Sequence, residues 1–444
     1  MNSSNNKPGC INLVKRETKV LAFYLPQFHR IKENSEWWGP GFTEWTNVVK
    51  AKPNYIGHYQ PHFPRDLGFY DLSHTETLKE QSELAKAYGI DGFCIYYYWF
   101  SGRKLLEKPL QNLLCSDIDI SFCLCWANEN WTRTWDGDSK SVLMQQEYRD
   151  DDPVRFIESI LPYLKDKRYI RVNNKPMLIV YRAKQIPNPK AVFNNWRDIV
   201  THEGLDGLHI VAVEYHDIST PEEVGADALL EFPPHRFSGP GAKCDFPFHL
   251  VNSSFNGEIL DYLKIIAQSV NRTVPKFALY RGIMPSWDNT ARRQENPSIV
   301  HGSSPLLFTY WLRYLRCYAA TTYQKDKDDF IFINAWNEWG EGCHLEPDQK
   351  YGLQYLEAVR NSKLERDIKT STMDQCRELL YDSISKYYKV DDGSDANKSR
   401  GSVEVLRKIK KLPTIIQRIA YYTRNIPYFN KLGKLIYRNI GRIF

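Results

Sequence analysis

The stretch Phe330-Ile-Phe-Ile-Asn-Ala-Trp-Asn-Glu-Trp-Gly-Glu-Gly342 begins as an apolar, aromatic and β-branched run and then turns polar. Its first part predicts a buried strand. Its second part places two carboxylates, Glu338 and Glu341, between tryptophans and glycines. Such carboxylates lose water, which raises their pKa, and a neighbouring carboxylate raises one pKa of the pair further. The pattern is typical of a pair that supplies one acid and one base at neutral pH.

The residues around this pair predict a sugar site. Trp336 and Trp339 flank the carboxylates, and Asn337 stands beside them. An indole offers a flat apolar face to a pyranose ring, while carboxylates reach its hydroxyls and its glycosidic oxygen. Taken alone, the stretch fits a surface loop with solvated glutamates equally well, because short motifs also occur by chance.

Seven further apolar runs precede this strand, and polar, helix-like stretches separate them. Most runs are hydrophobic throughout, which is typical of parallel strands covered on both faces. The predicted strands cover residues 19–25, 92–99, 120–127, 176–181, 209–214, 226–232, 276–281 and 329–336. The predicted helices cover residues 75–88, 103–114, 152–164, 189–203, 221–225, 258–270, 305–323 and 352–364.

Eight strand–helix units predict an α/β fold, a (β/α)8 TIM barrel, with a basic amphipathic helical tail at the C-terminus. A doubly wound open sheet is the competing fold. It would carry a glycine-rich phosphate turn after the first strand. Here the first strand continues into Pro26-Gln27-Phe28-His29 instead, which favours the barrel.

Polar and aromatic residues gather where the predicted strands end, and active sites of such barrels lie at that face. Any one of these residues fits a structural role, but their gathering at one end of so many strands indicates substrate binding. The loop after the first strand, 26–73, is long enough to be functional, or to be a hydrophobic plug over the barrel. The predicted substrate-binding residues are Tyr24, Gln27, His29, Glu44, Trp45, Tyr97, Tyr98, Trp99, Asn128, Trp131, Glu214, Tyr280, Trp336, Asn337 and Trp339.

Composition places few restrictions on function. The chain has 444 residues, 42% hydrophobic and 25% charged, as in ordinary globular proteins. Its nine cysteines show no Cys-x-x-Cys spacing, so no zinc site is predicted. The first residues have no apolar signal-peptide core, and no run is long enough to span a bilayer. We therefore expect a cytoplasmic protein with reduced thiols, and we expect no cofactor.

The charge is uneven along the chain. Residues 401–444 carry ten Lys or Arg and one Glu, which leaves the preceding 400 residues at −3 of a net +6. Apolar residues recur at helical spacing in 403–444, which predicts peripheral attachment to an anionic inner leaflet. A helix that docks on the barrel or on a partner chain is the alternative, and nucleic acid is not expected. Residues 366–388 are predicted as a helical extension and 389–402 as a linker.

Four motifs together resemble a known family: Ala22-Phe-Tyr-Leu-Pro-Gln-Phe-His29, the loop 37–47, Trp126-Ala-Asn-Glu-Asn-Trp131 and Asn334-Ala-Trp-Asn-Glu-Trp-Gly-Glu-Gly342. They look like the WbsX-type proteins of bacterial O-antigen and capsule gene clusters. These are commonly labelled glycosyltransferases and are similar to glycoside hydrolase family 99, an endo-α-mannosidase family with a (β/α)8 barrel. The resemblance implies such a barrel domain over residues 18–365.

The resemblance also implies catalytic roles. Glu338 resembles the base and Glu341 the acid that protonates the leaving oxygen. In that hydrolase family the sugar's own 2-hydroxyl is thought to attack, which implies a 1,2-anhydro intermediate and net retention. If the 2-hydroxyl is equatorial or missing, two carboxylates work in the usual retaining or inverting way, according to their separation.

Three functions compete at this point. The first is an enzyme that makes or cleaves glycosidic bonds in bacterial cell-surface polysaccharide metabolism, acting on an oligosaccharide or a lipid-linked glycan. The second is a metal-dependent transferase for nucleotide-linked or lipid-linked sugars, with Asp136 and Asp138 holding the ion, although that spacing also fits a solvated turn. The third is a non-catalytic glycan-binding protein. Oligomeric state is not predicted.

Overall fold

Eight parallel strands close into a barrel in the computed structural model, which describes residues 18–133, 138–244, 247–322, 329–363 and 373–390. Each strand pairs in parallel with the next along the chain, and the last pairs with the first. The predicted (β/α)8 barrel is therefore confirmed. The strands are β1 (Lys19–Tyr24), β2 (Gly92–Phe100), β3 (Ser121–Trp126), β4 (Lys175–Val180), β5 (His209–Val213), β6 (Ala228–Leu230), β7 (Leu279–Ile283) and β8 (Phe330–Ile333).

Helices follow the strands, except after β5, where a short 3-10 turn, Pro221–Glu223, takes that place. Several helices open on a proline, whose missing N–H costs nothing in the first turn. The helices are α1 (Lys32–Trp38), α2 (Trp45–Lys50), α3 (Thr75–Ala87), α4 (Lys108–Leu114), α5 (Asp152–Leu164), α6 (Pro189–His202), α7 (Tyr262–Val270), α8 (Pro305–Thr322), α9 (Gln354–Asn361) and α10 (Met373–Val390).

Successive residues of β2 face opposite sides of the barrel wall, as strand geometry requires. Tyr96 points inward, where its ring centroid lies 5.7 Å from that of Phe23. Tyr97 points outward, where its hydroxyl lies 3.1 Å from Ser159 Oγ on α5. Both faces are packed, so the strands read as hydrophobic throughout. This alternation decides which aromatic residues can reach the barrel mouth.

Short strands and turns build the mouth of the barrel above the carboxyl ends of β1–β8. The most important is a hairpin that follows β8, in which Asn337–Glu338 pairs with Cys343–His344. Other short strands there are Arg103–Leu105, Trp131–Arg133, Asp138–Met144, Glu258–Asp261, Trp287–Asp288 and Ser298–His301. Arg171–Val172 instead pairs with the first residues of β4, at the opposite end of the barrel. Further 3-10 turns are Ala183–Gln185, Pro240–Ala242, Asn289–Ala291 and Trp339–Glu341.

Helix α10 packs against α8, and a disulfide joins Cys376 of α10 to Cys317 of α8, with the two sulfur atoms 2.20 Å apart. The expectation that all thiols are reduced is therefore wrong for this pair.

Helix α10 overlaps the predicted extension 366–388. The predicted linker falls almost wholly on residues 391–402 and the predicted tail wholly on 403–444, which lie outside the described residues. The division of the chain therefore remains a prediction. None of the described helices is long and apolar enough to cross a bilayer.

The disulfide gives a first prediction. Cys376→Ser removes a link between residues 59 positions apart, and such links typically stabilise by about 2–4 kcal/mol because they restrict the unfolded chain. We expect the free energy of unfolding to fall by about that amount in denaturant without reductant. Cys115→Ser, at an exposed free thiol, is the matched control and should change little. Alkylation of every cysteine in the unreduced, unfolded chain would contradict the assignment.

Candidate active site

The hairpin after β8, here called the β8 hairpin (337–344), carries the two predicted catalytic glutamates at either end of a tight turn. Gly342 closes the turn with a φ of 56°, a left-handed conformation that favours glycine. Asn337 fixes the hairpin to the end of β1. Its Oδ1 accepts the Leu25 N–H at 2.8 Å, and its Nδ2 donates to the Leu25 carbonyl at 3.0 Å. The glutamates therefore stand on a rigid base.

A cavity of about 250 Å³ opens in front of the hairpin. Glu338 and Glu341 form part of its wall, and Arg292 enters from the segment after β7. The remainder comes from the ends of β1 to β4 and from the loops after β1, β2 and β3. Aromatic rings supply much of that wall, and carboxylates, amides and one guanidinium supply the polar part. The lining residues are Leu25, Gln27, Asn34, Trp38, Glu44, Tyr96, Tyr98, Leu106, Ala127, Glu129, Asn130, Trp131, Thr132, Leu143, Tyr181, Arg292, Glu338 and Glu341.

Arg292 joins three carboxylates from distant parts of the chain. Its Nε donates to Glu44 Oε1 at 3.0 Å and its Nη2 to Glu338 Oε1 at 2.8 Å, while its Nη1 lies 3.1 Å from Glu341 Oε1. The guanidinium is well suited to this task because its donors form a rigid planar fork. All four side chains are largely removed from water, which makes each charge expensive unless it is paired.

One guanidinium faces three carboxylates, so the cluster has fewer positive than negative groups in direct contact. Burial raises the pKa of Glu338 well above its usual range and also raises that of Glu341. Arg292 opposes this rise, whereas the neighbouring carboxylates reinforce it. Glu338 is the more enclosed side chain, 6% exposed against 25% for Glu341, so burial acts more strongly on Glu338.

Gly340, in the middle of the turn, lets Glu44 and Arg292 pass close to the backbone. A Cβ at this position would lie 2.8 Å from Arg292 Nε and would overlap Glu44 Oε1. Real Cβ atoms do not approach other atoms so closely, so any side chain here would separate the ion pair. The glycine is therefore required by packing and not by a left-handed backbone.

A second buried carboxylate, Glu346, supports the hairpin from below. It accepts hydrogen bonds from the Tyr70 hydroxyl at 2.7 Å, from Trp339 Nε1 at 2.6 Å and from Gln81 Nε2 at 2.6 Å. Burial raises the pKa of Glu346 to about 7, although these three donors oppose the rise. This carboxylate orients Trp339 and Tyr70, which pack on Trp45 in the loop after β1.

Three polar atoms in the cavity wall have no hydrogen-bond partner within the described part of the chain. They are Gln27 Nε2, Asn34 Oδ1 and Glu44 Oε2. Each side chain is more than nine-tenths buried. Buried polar atoms are almost always paired in folded proteins, so these three leave hydrogen-bonding capacity for a ligand or ordered water. One donor and two acceptors suit the hydroxyl groups of a sugar, which donate and accept.

The structure places six of the predicted site residues on the cavity wall. Four more hold that wall from behind: Tyr24 donates to Gln81, Asn337 binds Leu25, and Trp45 and Trp339 pack together. Whether any of them binds substrate remains a prediction. The six that line the cavity are Gln27, Glu44, Tyr98, Trp131, Glu338 and Glu341.

The other predicted residues lie away from the cavity. Glu214 is held by ion pairs with Arg272 and Arg236. Tyr280 lies with its hydroxyl 3.0 Å from His209 Nε2 at the start of β5. The remaining five have partners or packing elsewhere in the barrel and its loops. They are His29, Tyr97, Trp99, Asn128 and Trp336.

Sequence reasoning missed several residues of the wall. Tyr96 could have been found, because it shares a strand face with Tyr98. Tyr181 follows directly on β4 and could have been included with the other strand ends. No sequence pattern indicates that Arg292 belongs to the site, because it lies nine residues beyond the end of β7 in an irregular segment. Asn34 lies in the long loop, in a helix too short to be predicted.

A family model described as Glycosyltransferase WbsX matches residues 20–359. The chain belongs to the glycosyltransferase WbsX family. The resemblance seen in the motifs is thereby confirmed. Two curated relatives, both WxcX proteins from strains of Xanthomonas campestris pv. campestris, are 40% identical over 345 residues. The match covers 77% of this chain and 49% of each relative, so the chain spans about half the length of these relatives.

Solved structures with this architecture are more distant from this WbsX family member. A glycoside hydrolase-like protein is 17% identical, with 81% of this chain and 98% of that chain covered and a TM-score of 0.48. A GH99 endo-α-mannosidase from Bacteroides thetaiotaomicron is 14% identical, with 78% and 97% covered and a TM-score of 0.46. The barrel itself is established by the strand pairing described above.

Gly340→Ala tests the packing of the turn. The added methyl group must displace the Glu44–Arg292 pair, so we expect the free energy of unfolding to fall by about 1–3 kcal/mol. Gly241→Ala is the matched control, because a Cβ there meets only Gln268 Nε2, at 3.6 Å. Denaturant unfolding of both variants provides the measurement. Equal stability of the two variants would contradict the packing argument.

Glu346→Gln tests the buried carboxylate through pH. A carboxyl whose pKa rises on folding binds more protons in the folded state, so stability falls as pH rises from about 4.5 to about 7. Titration of Glu346 should lower the parent's free energy of unfolding by roughly 3 kcal/mol across that window. The variant has no carboxyl at this position and should not show this loss. We therefore expect the difference in unfolding free energy between parent and variant to shift in the variant's favour as pH rises. Parallel pH curves would show that Glu346 is not responsible.

Proposed function

We propose that the chain is a carbohydrate-active enzyme that makes or cleaves glycosidic bonds, with Glu338 and Glu341 as its acid–base pair. One observation carries the proposal: both carboxylates stand at the carboxyl end of β8, face the same aromatic-walled cavity and share Arg292. That is where barrel enzymes place their chemistry. Membership of a family described as glycosyltransferases agrees with this activity.

Within this proposal, Glu341 protonates the leaving oxygen and Glu338 accepts a proton from the attacking group. Glu341 is the more exposed of the two, which suits a group that meets the leaving sugar. Retention through the sugar's own 2-hydroxyl requires Glu338 to be ionised when the substrate is bound. Burial raises the pKa of both carboxyls in the free protein, so the proposed roles require the proton to be on Glu341 when substrate is bound. A hydrogen bond from the 2-hydroxyl to Glu338 favours the ionised form of Glu338.

The wall favours a neutral glycan over a nucleotide sugar. Among the described lining residues Arg292 is the single Lys or Arg, and three carboxylates already surround it. A diphosphate would meet Glu44, Glu129 and the catalytic pair instead of basic partners. Because the wall is acidic, we propose an oligosaccharide or the glycan part of a lipid-linked intermediate as substrate. The metal site of the alternative transferase includes Asp136, which lies outside the described residues.

The family description favours transfer to an acceptor sugar over hydrolysis. We propose that the reaction belongs to bacterial cell-surface polysaccharide metabolism, O-antigen or capsule. The proposed place is the cytoplasm, where the basic tail 403–444 would attach the enzyme to the anionic inner leaflet near its substrate. The proposed architecture is a barrel domain over 18–365 followed by extension, linker and tail.

Two substitutions separate the proposed roles. Glu338→Gln and Glu341→Gln should each lower turnover of an α-linked oligosaccharide by about 10²–10⁴-fold, the usual contribution of a positioned acid or base. With the matching α-glycosyl fluoride, the leaving group departs without protonation. Glu341→Gln should then regain most of the parent rate, whereas Glu338→Gln should not. Rates measured on a panel of both substrate types provide the test.

Glu158→Gln on the exposed face of α5 is the matched control and should retain the parent rate. Full activity of either catalytic variant on the unactivated substrate would remove its role. If the parent turns over no substrate and both variants bind oligosaccharide as tightly as the parent does, the cavity belongs to a glycan-binding protein instead.

A further inference from the structure

A second cluster of potential ligands includes a residue of the β8 hairpin but lies outside the cavity wall. His62, His344 and Asp348 each offer one ligand atom, and these atoms lie within 4.8 Å of one another. All three side chains are buried, and none belongs to the cavity wall. They come from three separate segments: the loop after β1, the second strand of the β8 hairpin, and the chain that follows it. The cluster therefore sits where these segments meet.

His344 is oriented as a metal ligand would be. Its Nδ1 lies 2.9 Å from the Glu346 carbonyl oxygen, which can only accept, so Nδ1 carries the hydrogen. The other nitrogen, Nε2, therefore presents a lone pair towards His62. A backbone carbonyl that fixes the tautomer in this way is the usual second partner of a metal-bound histidine. The ring is also held by stacking on Trp339, with centroids 3.7 Å apart.

His62 completes a pair of nitrogen ligands. Its Nδ1 lies 2.9 Å from His344 Nε2, and its ring stacks on Tyr59. Two nitrogens bound to one tetrahedral zinc ion lie about 3.3 Å apart, given bonds of about 2.0–2.1 Å. A separation of 2.9 Å is therefore within a few tenths of an ångström of the bound geometry. Asp348 adds a carboxylate, one oxygen of which accepts the Tyr351 N–H at 2.6 Å.

We propose that His62, His344 and Asp348 bind one divalent transition-metal ion, with zinc the best match to two imidazoles and a carboxylate. The ion has a structural role, because its ligands are buried and none of them lines the cavity. It ties the loop after β1, which supplies Glu44, to the β8 hairpin, which supplies Glu338 and Glu341. His344 pairs directly with Asn337 in that hairpin. The metal would thus hold the two halves of the acidic site in register.

The competing explanation is a plain hydrogen bond from His62 Nδ1–H to His344 Nε2, with no metal. The substitution His62→Asn discriminates between the two. An Asn amide nitrogen occupies nearly the position of Nδ1 and can still donate to His344, but it does not bind zinc or cobalt as imidazole does. His202→Asn, at the exposed end of α6, is the matched control.

The test uses the untagged full chain after chelator treatment, titrated with Co²⁺ and then with Zn²⁺. We expect visible absorption that saturates at one Co²⁺ per chain and disappears when Zn²⁺ displaces it. His62→Asn and Asp348→Asn should bind Co²⁺ at least 10-fold more weakly, and His202→Asn should bind as the parent does. Zinc should raise the melting temperature of the parent but not of His62→Asn, because only the folded parent holds the ion.

Should the variants fail to fold, the parent alone still decides the question. Co²⁺ bound to both rings shifts two imidazole N–H proton signals, one of them from His344 Nδ1–H. No saturable absorption in the parent would overturn the proposal, as would equal binding by His62→Asn or the absence of shifted imidazole signals. None of these measurements depends on enzymatic activity, so they are independent of the proposed reaction.

Discussion

The candidate site depends on a single guanidinium. Arg292 meets carboxylates from the loop after β1 and from both ends of the turn in the β8 hairpin, so it joins parts of the chain that share no local structure. One positive charge against three acids leaves the cluster short of cations, and water is largely excluded. The same constraint that fixes the loop to the hairpin therefore also supplies the raised carboxyl pKa values that acid–base chemistry needs.

The architecture could be predicted from the sequence because each barrel strand is a continuous apolar run with its own turn signals. Errors arose where strand pairing overrides the helix-like pattern of a short segment. Residues 103–105 and 258–261 were predicted as helix but form short strands, because Arg103–Leu105 pairs with β2 and Glu258–Asp261 pairs with Ser298–His301. Strand β7 begins three residues later than predicted. Local periodicity carries no information about such pairings.

The site could be predicted only in part, for a related reason. Glu338 and Glu341 lie in a motif rich in polar and aromatic residues. Gln27 and Glu44 lie in the loop after β1, whose length indicates a functional role. On β2, however, three consecutive residues were proposed, although a strand can turn only alternate residues towards one side. The structure turns Tyr98 inward and Tyr97 outward. Arg292 lies in an irregular segment without pattern, and only the folded barrel brings it to the acids.

The hydrogen bond between the Leu25 N–H and Asn337 Oδ1 joins residues 312 positions apart, from the end of β1 to the hairpin after β8. Translation at ordinary speed separates the appearance of these two residues by a time on the order of tens of seconds. During that interval β1 can pair with β2, but its other edge is bare, since its second partner, β8, does not yet exist. A nascent chain therefore cannot assemble the acidic site early. It remains inert, and open to mispairing along that one edge, until the ring closes.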